Sequence, residues 1–114
     1  MAGYYDFTIE RRVTFKRTLG WRIGGLPVDC TGFTARIEGR KALNQVTPDF
    51  VLTSDPDGGI VVGGADGRID IDLTPNATDG LKAGIYFYWM DINTGSEITR
   101  LIEGRLTIKE GSIA

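Results

Sequence analysis

A chain of 114 residues, 41% hydrophobic and 25% charged, has the size and make-up of one packed domain, and is too apolar for a disordered segment. The formal charge of −2 excludes the strong basic footprint that nucleic-acid binding asks for. No apolar run approaches the roughly 18 residues of a membrane helix, so no membrane partner is expected.

The N-terminal segment carries Tyr4, Tyr5 and Phe7. Three aromatics near a chain end are costly to leave in water, so they pack on their own domain or on a neighbour. Packing on the own domain is the first expectation, and partner docking the second. Over positions 13–23 the odd residues read Val13, Phe15, Arg17, Leu19, Trp21 and Ile23, against Thr14, Lys16, Thr18, Gly20 and Arg22. This alternation predicts a half-buried strand, bent near Gly20, with Arg17 as a charged interruption. Gly24-Gly25 and Leu26-Pro27 then mark a turn.

Alternation returns in Phe33, Ala35 and Ile37, and again in Phe50 and Leu52. A turn follows at Asp55-Pro56-Asp57-Gly58-Gly59, and another where Gly63-Gly64 precedes Asp66-Gly67. Ile69, Ile71 and Leu73 alternate with Arg68, Asp70 and Asp72, and Leu106 and Ile108 close the series. Tyr86-Phe87-Tyr88-Trp89-Met90 is apolar at every position, which predicts a central strand covered on both sides. Thr74 before Pro75, with Gly80 beyond, predicts one short helical turn near 75–80. Leu81, Gly84 and Tyr86 have the form of a tyrosine corner, in which a Tyr hydroxyl bonds back to the upstream backbone. Together these predict an all-β fold, a single immunoglobulin-like antiparallel β-sandwich of about 7–9 strands spanning residues 1–114 as one domain, with at most that one helical turn.

Residues with chemistry are sparse. Histidine is absent, which removes Ser-His-Asp and Cys-His catalysis and argues against an ordinary zinc site. Gly58-Gly59 and Gly63-Gly64 lack the Lys-Ser/Thr and helix of a phosphate loop. A carboxylate pair drawn from Asp70, Asp72 or Asp91 is formally possible, but acids at alternate positions read as the wet face of a strand. Asp55 and Asp57 have the alternate spacing of a calcium loop without its terminal bidentate acid, and Asp-Gly turns explain them equally well. No enzyme activity, cofactor or metal is expected. The single cysteine, Cys30, should pack as a small buried hydrophobe. The absence of an internal disulfide and of a leader pattern fits synthesis in a cytoplasm.

In the first 40 residues Arg11, Arg12, Lys16, Arg17, Arg22, Arg36 and Arg40 outnumber Asp6, Glu10, Asp29 and Glu38. Such rows are usually solvated strand faces; as an alternative they mark a docking face for an acidic partner. The docking set under that alternative is Tyr4, Tyr5, Phe7, Arg11, Arg12, Lys16, Arg17 and Arg22.

The order of motifs has a likeness. Tyr5-Asp6-Phe7-Thr8-Ile9-Glu10 leads to the strand ending at Trp21, followed by Leu26-Pro27-Val28-Asp29-Cys30-Thr31-Gly32-Phe33-Thr34-Ala35-Arg36-Ile37. Gly67-Arg68-Ile69-Asp70-Ile71-Asp72-Leu73-Thr74, Leu81-Lys82-Ala83-Gly84-Ile85-Tyr86 and Gly95-Ser96-Glu97-Ile98-Thr99-Arg100-Leu101-Ile102-Glu103-Gly104 complete it. This series resembles small tailed-bacteriophage and prophage structural proteins, and is similar to the N-terminal β-sandwich module of the phage baseplate upper protein family. The resemblance spans nearly the whole chain, through scaffold motifs. It implies a non-enzymatic virion structural protein at the tail, baseplate or neck, made in the bacterial host cytoplasm and docked to other virion proteins, with a homo-oligomer within the particle open. Family members often continue into a fibre or stem, and its absence from this sequence favours a small accessory protein. A capsid decoration protein and a carbohydrate-binding or adhesion module are the alternatives; the last would require exposed aromatics along one sheet face.

Overall fold

The computed structural model describes residues 3–55 and 58–110. Its strands are β1 (Gly3–Tyr4), β2 (Phe7–Glu10), β3 (Phe15–Gly20), β4 (Arg22–Ile23), β5 (Leu26–Pro27), β6 (Thr34–Arg40), β7 (Phe50–Thr53), β8 (Ile60–Val62), β9 (Arg68–Leu73), β10 (Gly84–Asn93) and β11 (Ile98–Lys109). One helical turn, α1 (Pro75–Asp79), lies between β9 and β10. Thr74 caps it by accepting from the Ala77 amide at 3.2 Å, and Gly80 follows its last residue.

The strands form two layers. The larger sheet runs β1-β11-β10-β6-β7, with β2 also on β11; the smaller runs β3-β9-β8, and β4 and β5 make a separate hairpin. Alternation sends one face of each sheet inward. Phe7, Ile9, Ile37, Tyr86, Tyr88, Met90, Ile92, Leu106 and Ile108 come from the large sheet, and Phe15, Ile60, Ile69, Ile71 and Leu73 from the small one. Each large side chain so buried contributes roughly 1.5–3 kcal/mol relative to exposure.

The chain crosses between sheets at the tyrosine corner. Leu81 is buried, and the Tyr86 hydroxyl donates to the Lys82 carbonyl at 2.8 Å, while its ring meets Phe50 edge-on at 5.1 Å. With β2 beside the last strand and β3, β8 and β9 opposed to it, this is an all-β, immunoglobulin-like sandwich.

The ladders are antiparallel except at the N-terminus, where β1 and β2 lie parallel to β11. Gly104 makes that possible: a Cβ there would sit 2.2 Å from the Tyr5 carbonyl oxygen. Beside it, the Asp6 side chain takes the place of a ladder carbonyl and accepts from the Arg105 amide at 2.9 Å.

Two expectations need correction. The first strand is shorter than positions 13–23: Val13 and Ile23 lie outside β3 and are exposed. Strand β10 is central, between β6 and β11, but only Tyr86, Tyr88, Met90 and Ile92 point into the core. Phe87 and Trp89 face outward, half-buried, with no second layer of described residues over them. Their cover comes from long side chains of the same sheet, because the guanidinium groups of Arg40 and Arg100 each lie 4.7 Å from the Trp89 ring centre.

Candidate functional site

The eight residues of the expected docking set do not share a surface. Phe7 is 2% exposed and packs edge-on to Phe15 at 6.1 Å, so it belongs to the core and leaves the set. Tyr4 and Tyr5 are exposed, and the Tyr5 carbonyl accepts from the buried Tyr88 hydroxyl. Burial first, then the nearby Asp6 carboxylate, push the Tyr88 hydroxyl pKa well above the ordinary tyrosine value.

Arg11 and Arg12 sit where the chain turns from β2 to β3. Both form ion pairs with Asp79 on α1 and with Glu110, and Arg11 also donates to the Asp79 carbonyl at 2.9 Å. At this turn Arg12 adopts φ +68°, a backbone conformation rare outside glycine. These charges are committed within the domain. Lys16 projects outward opposite Asp72. Beside that pair, Thr18 donates to Asp70 at 2.7 Å, and Arg68 pairs with Asp70 at 3.2 Å. Arg36 and Arg40 are on the other sheet, both paired with Glu38. Successive strand residues point to opposite faces and the chain changes sheet after β3, so a basic run in sequence becomes scattered charges in space. One basic N-terminal face therefore does not form.

Arg17, like Lys16 and Arg22, has no carboxylate within 4 Å among the described residues. Its guanidinium lies 5.6 Å from the Phe7 ring centre and 5.3 Å from that of Phe15. Its Nη1 reaches the Tyr5 hydroxyl at 3.5 Å, and its Nε is buried without a hydrogen-bond partner among the described residues.

Two apolar projections lay beyond sequence pattern. In the β4–β5 hairpin, Gly24 and Gly25 adopt φ of +60° and +82°, as a two-residue turn of the primed type requires, and Ile23 pairs across it with Leu26. Those two side chains are 66% and 72% exposed. The loop between β6 and β7 presents Leu43 and Val46, although it is tightly held. Arg40 donates to the Gln45 and Val46 carbonyls at 2.9 and 3.0 Å, and Asp49 accepts from the Lys41 amide at 2.9 Å. A cluster of turn residues flanked by an apolar pair was the available signal for the hairpin; exposure itself has none.

Among the described residues, no group of three or more acids or cysteines is placed to hold a metal ion. Asp70 and Asp72 lie on the outer face of the small sheet and Asp91 on the large one, where it pairs with Arg100 at 3.0 Å. The loop considered for calcium includes Pro56 and Asp57, which lie outside the described residues. Cys30 is buried, its thiol donating weakly to the Val28 carbonyl at 3.5 Å. Burial first, then Asp29 and Asp66, raise its pKa, which disfavours the reactive thiolate. An open groove of about 480 Å³ lies between the β7 and β8 edges, lined by Phe33, Ser54, Ile60 and Asp72 among others. No described helix is long and apolar enough to cross a membrane.

The surface features thus describe an immunoglobulin-like sandwich that offers edges and apolar loop tips. No protein-family model matches the chain, and no curated protein matches it.

Proposed function

We propose that this chain is a non-enzymatic docking subunit of a tailed-phage particle, seated at the tail, baseplate or neck against other virion proteins. The observation that carries the docking role is the β4–β5 hairpin, which holds Ile23 and Leu26 away from the core on a turn of fixed geometry. Paired large aliphatic side chains on a defined projection are favourable when a partner covers them. The likeness of the motif series to small phage structural proteins supplies the setting. Assembly in the bacterial cytoplasm agrees with a core that uses its one cysteine as a buried thiol.

Immunogold labelling of tailed particles from a lysogen carrying the gene tests this reading. Label at the tail tip or neck is the expected result. Label over the head replaces it with capsid decoration, and unlabelled particles overturn the virion role. A glycan-binding module is disfavoured by the outer face of the large sheet. Trp89 there has guanidinium groups from β6 and β11 close to its ring, where a sugar would stack.

A further inference from the structure

The two sheets have four edges among the described residues: β7 and the β1/β2 segment in the large sheet, and β3 and β8 in the small one. The β1/β2 segment is interrupted at Tyr5-Asp6, β7 has 4 residues and β8 has 3, whereas β3 runs unbroken for 6. Among the described residues, strand β3 is thus the longest continuous edge, hydrogen-bonded to β9 on one side only. The N-terminal strands β1 and β2 lie on β11 in the opposite sheet and leave the other side uncovered. A row of backbone donors and acceptors is left open, the template on which another strand adds.

The side chains along this edge select what can add. Lys16 and Arg17 are consecutive, so they project to opposite faces of β3. Arg22 follows just beyond the strand end, donating, among the described residues, only to the Gly25 carbonyl at 3.2 Å. Arg11, Arg12, Arg36, Arg40, Arg68 and Arg100 all have carboxylates within 4 Å; no described carboxylate lies within that distance of Lys16, Arg17 or Arg22, nor of Lys41, Lys82, Arg105 and Lys109 elsewhere, so the β3 edge gathers three of the seven cations without one. Arg17 also keeps a buried Nε with no acceptor among the described residues, as Arg11 does, but Arg17 alone of these two has no carboxylate partner there.

A second copy fits this edge poorly. Joining two β3 edges would bring Lys16 and Arg17 of each copy toward their own kind, a like-charge contact that opposes self-pairing. An acidic strand meets no such penalty and supplies the missing acceptors.

We infer that the open edge of β3 accepts an extended segment of a partner protein bearing two adjacent acidic residues, one carboxylate set against Lys16 on the outer face and the next against Arg17 on the inner face. Apolar residues two positions from the inner acid would cover Phe15 and the half-buried Leu19. This rests on the reading of the chain as a docking domain, but not on its place in a particle, so particle labelling and the test below fail independently.

The test uses the full chain and a capped octapeptide, Thr-Val-Thr-Glu-Glu-Val-Thr-Val, against a control with Lys-Lys in place of Glu-Glu. Backbone amide shifts are followed by NMR during titration. The expected result is saturable binding of the acidic peptide, with the largest shifts at residues 15–20 and weakening as salt is raised. The double variant Lys16→Glu, Arg22→Glu leaves the fold intact, both residues being exposed, and weakens the acidic peptide about tenfold. In that variant the lysine peptide gains. Absence of binding at millimolar peptide, shifts centred on another edge, or equal binding of both peptides overturns the proposal. Concentration-dependent protection of the β3 amides without peptide also overturns it, and makes a second copy the occupant.

Discussion

Tyr86 joins the start of β10 to the chain just before it through one hydrogen bond, and that bond can be weighed alone. Tyr86→Phe keeps the ring and its contact with Phe50, so the loss should be about 1 kcal/mol, read as a lower urea midpoint at unchanged slope. An unchanged midpoint would show that the corner draws its stability from packing. Glu38 offers a test by pH. Its carboxylate accepts from Arg36 and, against desolvation, also from Arg40, which holds its pKa below the ordinary value of 4.5. A depressed folded value means the unfolded chain binds the proton first. The stabilisation is therefore present above about pH 5 and lost as pH falls through the lowered folded value. Glu38→Gln should flatten the decline of melting temperature between about pH 5 and 3. Equal slopes in both proteins would exclude Glu38 as a contributor. The corner was legible because its spacing is local. The pairing of Glu38 was not, because two of the three charged residues that meet there were read only as members of a basic run.

Among elements, the hairpin and the N-terminal strand separate what local pattern conveys from what it misses. Gly24-Gly25 signalled the turn, but the period-two reading extended the preceding strand through Ile23. The backbone in fact leaves β3 after Gly20, where the Trp21 amide bonds to Gly67 at 2.9 Å and starts a new excursion. Ile23 and Leu26 are outside the core, so replacing both by Ser should move stability by no more than about 0.5 kcal/mol. Under the proposed docking role, the same double variant should fail to join the particle. Full incorporation of the variant, measured by immunoblot of purified particles, would remove the hairpin from the docking surface. In the N-terminal strand, Phe7 and Ile9 alternate as a buried strand should, yet nothing local says that the partner is β11 or that the pairing is parallel. Those depend on Gly104, almost a hundred residues away in sequence.

At the scale of the molecule, the N-terminal segment closes the sandwich. Phe7 and Ile9 are 2% and 1% exposed, and the Tyr88 hydroxyl in the centre of the sheet has the Tyr5 carbonyl as its acceptor. A detachable adhesive arm and an integral strand therefore predict opposite outcomes of truncation. Removal through Tyr4 takes away a side chain that is 69% exposed and a two-residue ladder, and should cost no more than about 1 kcal/mol. Removal through Glu10 strips two core side chains, bares the edge of β11 and leaves a buried tyrosine hydroxyl without its partner. By analogy with large-to-small core substitutions of about 2–5 kcal/mol each, the combined loss is close to the whole stability of a domain this size. The longer truncation should be unfolded at 25 °C, with its far-ultraviolet circular dichroism and tryptophan emission those of the urea-denatured chain. A cooperative transition surviving that truncation would mean that the two sheets hold together without their first strand. The aromatics at the start of the chain would then be free to serve a neighbour.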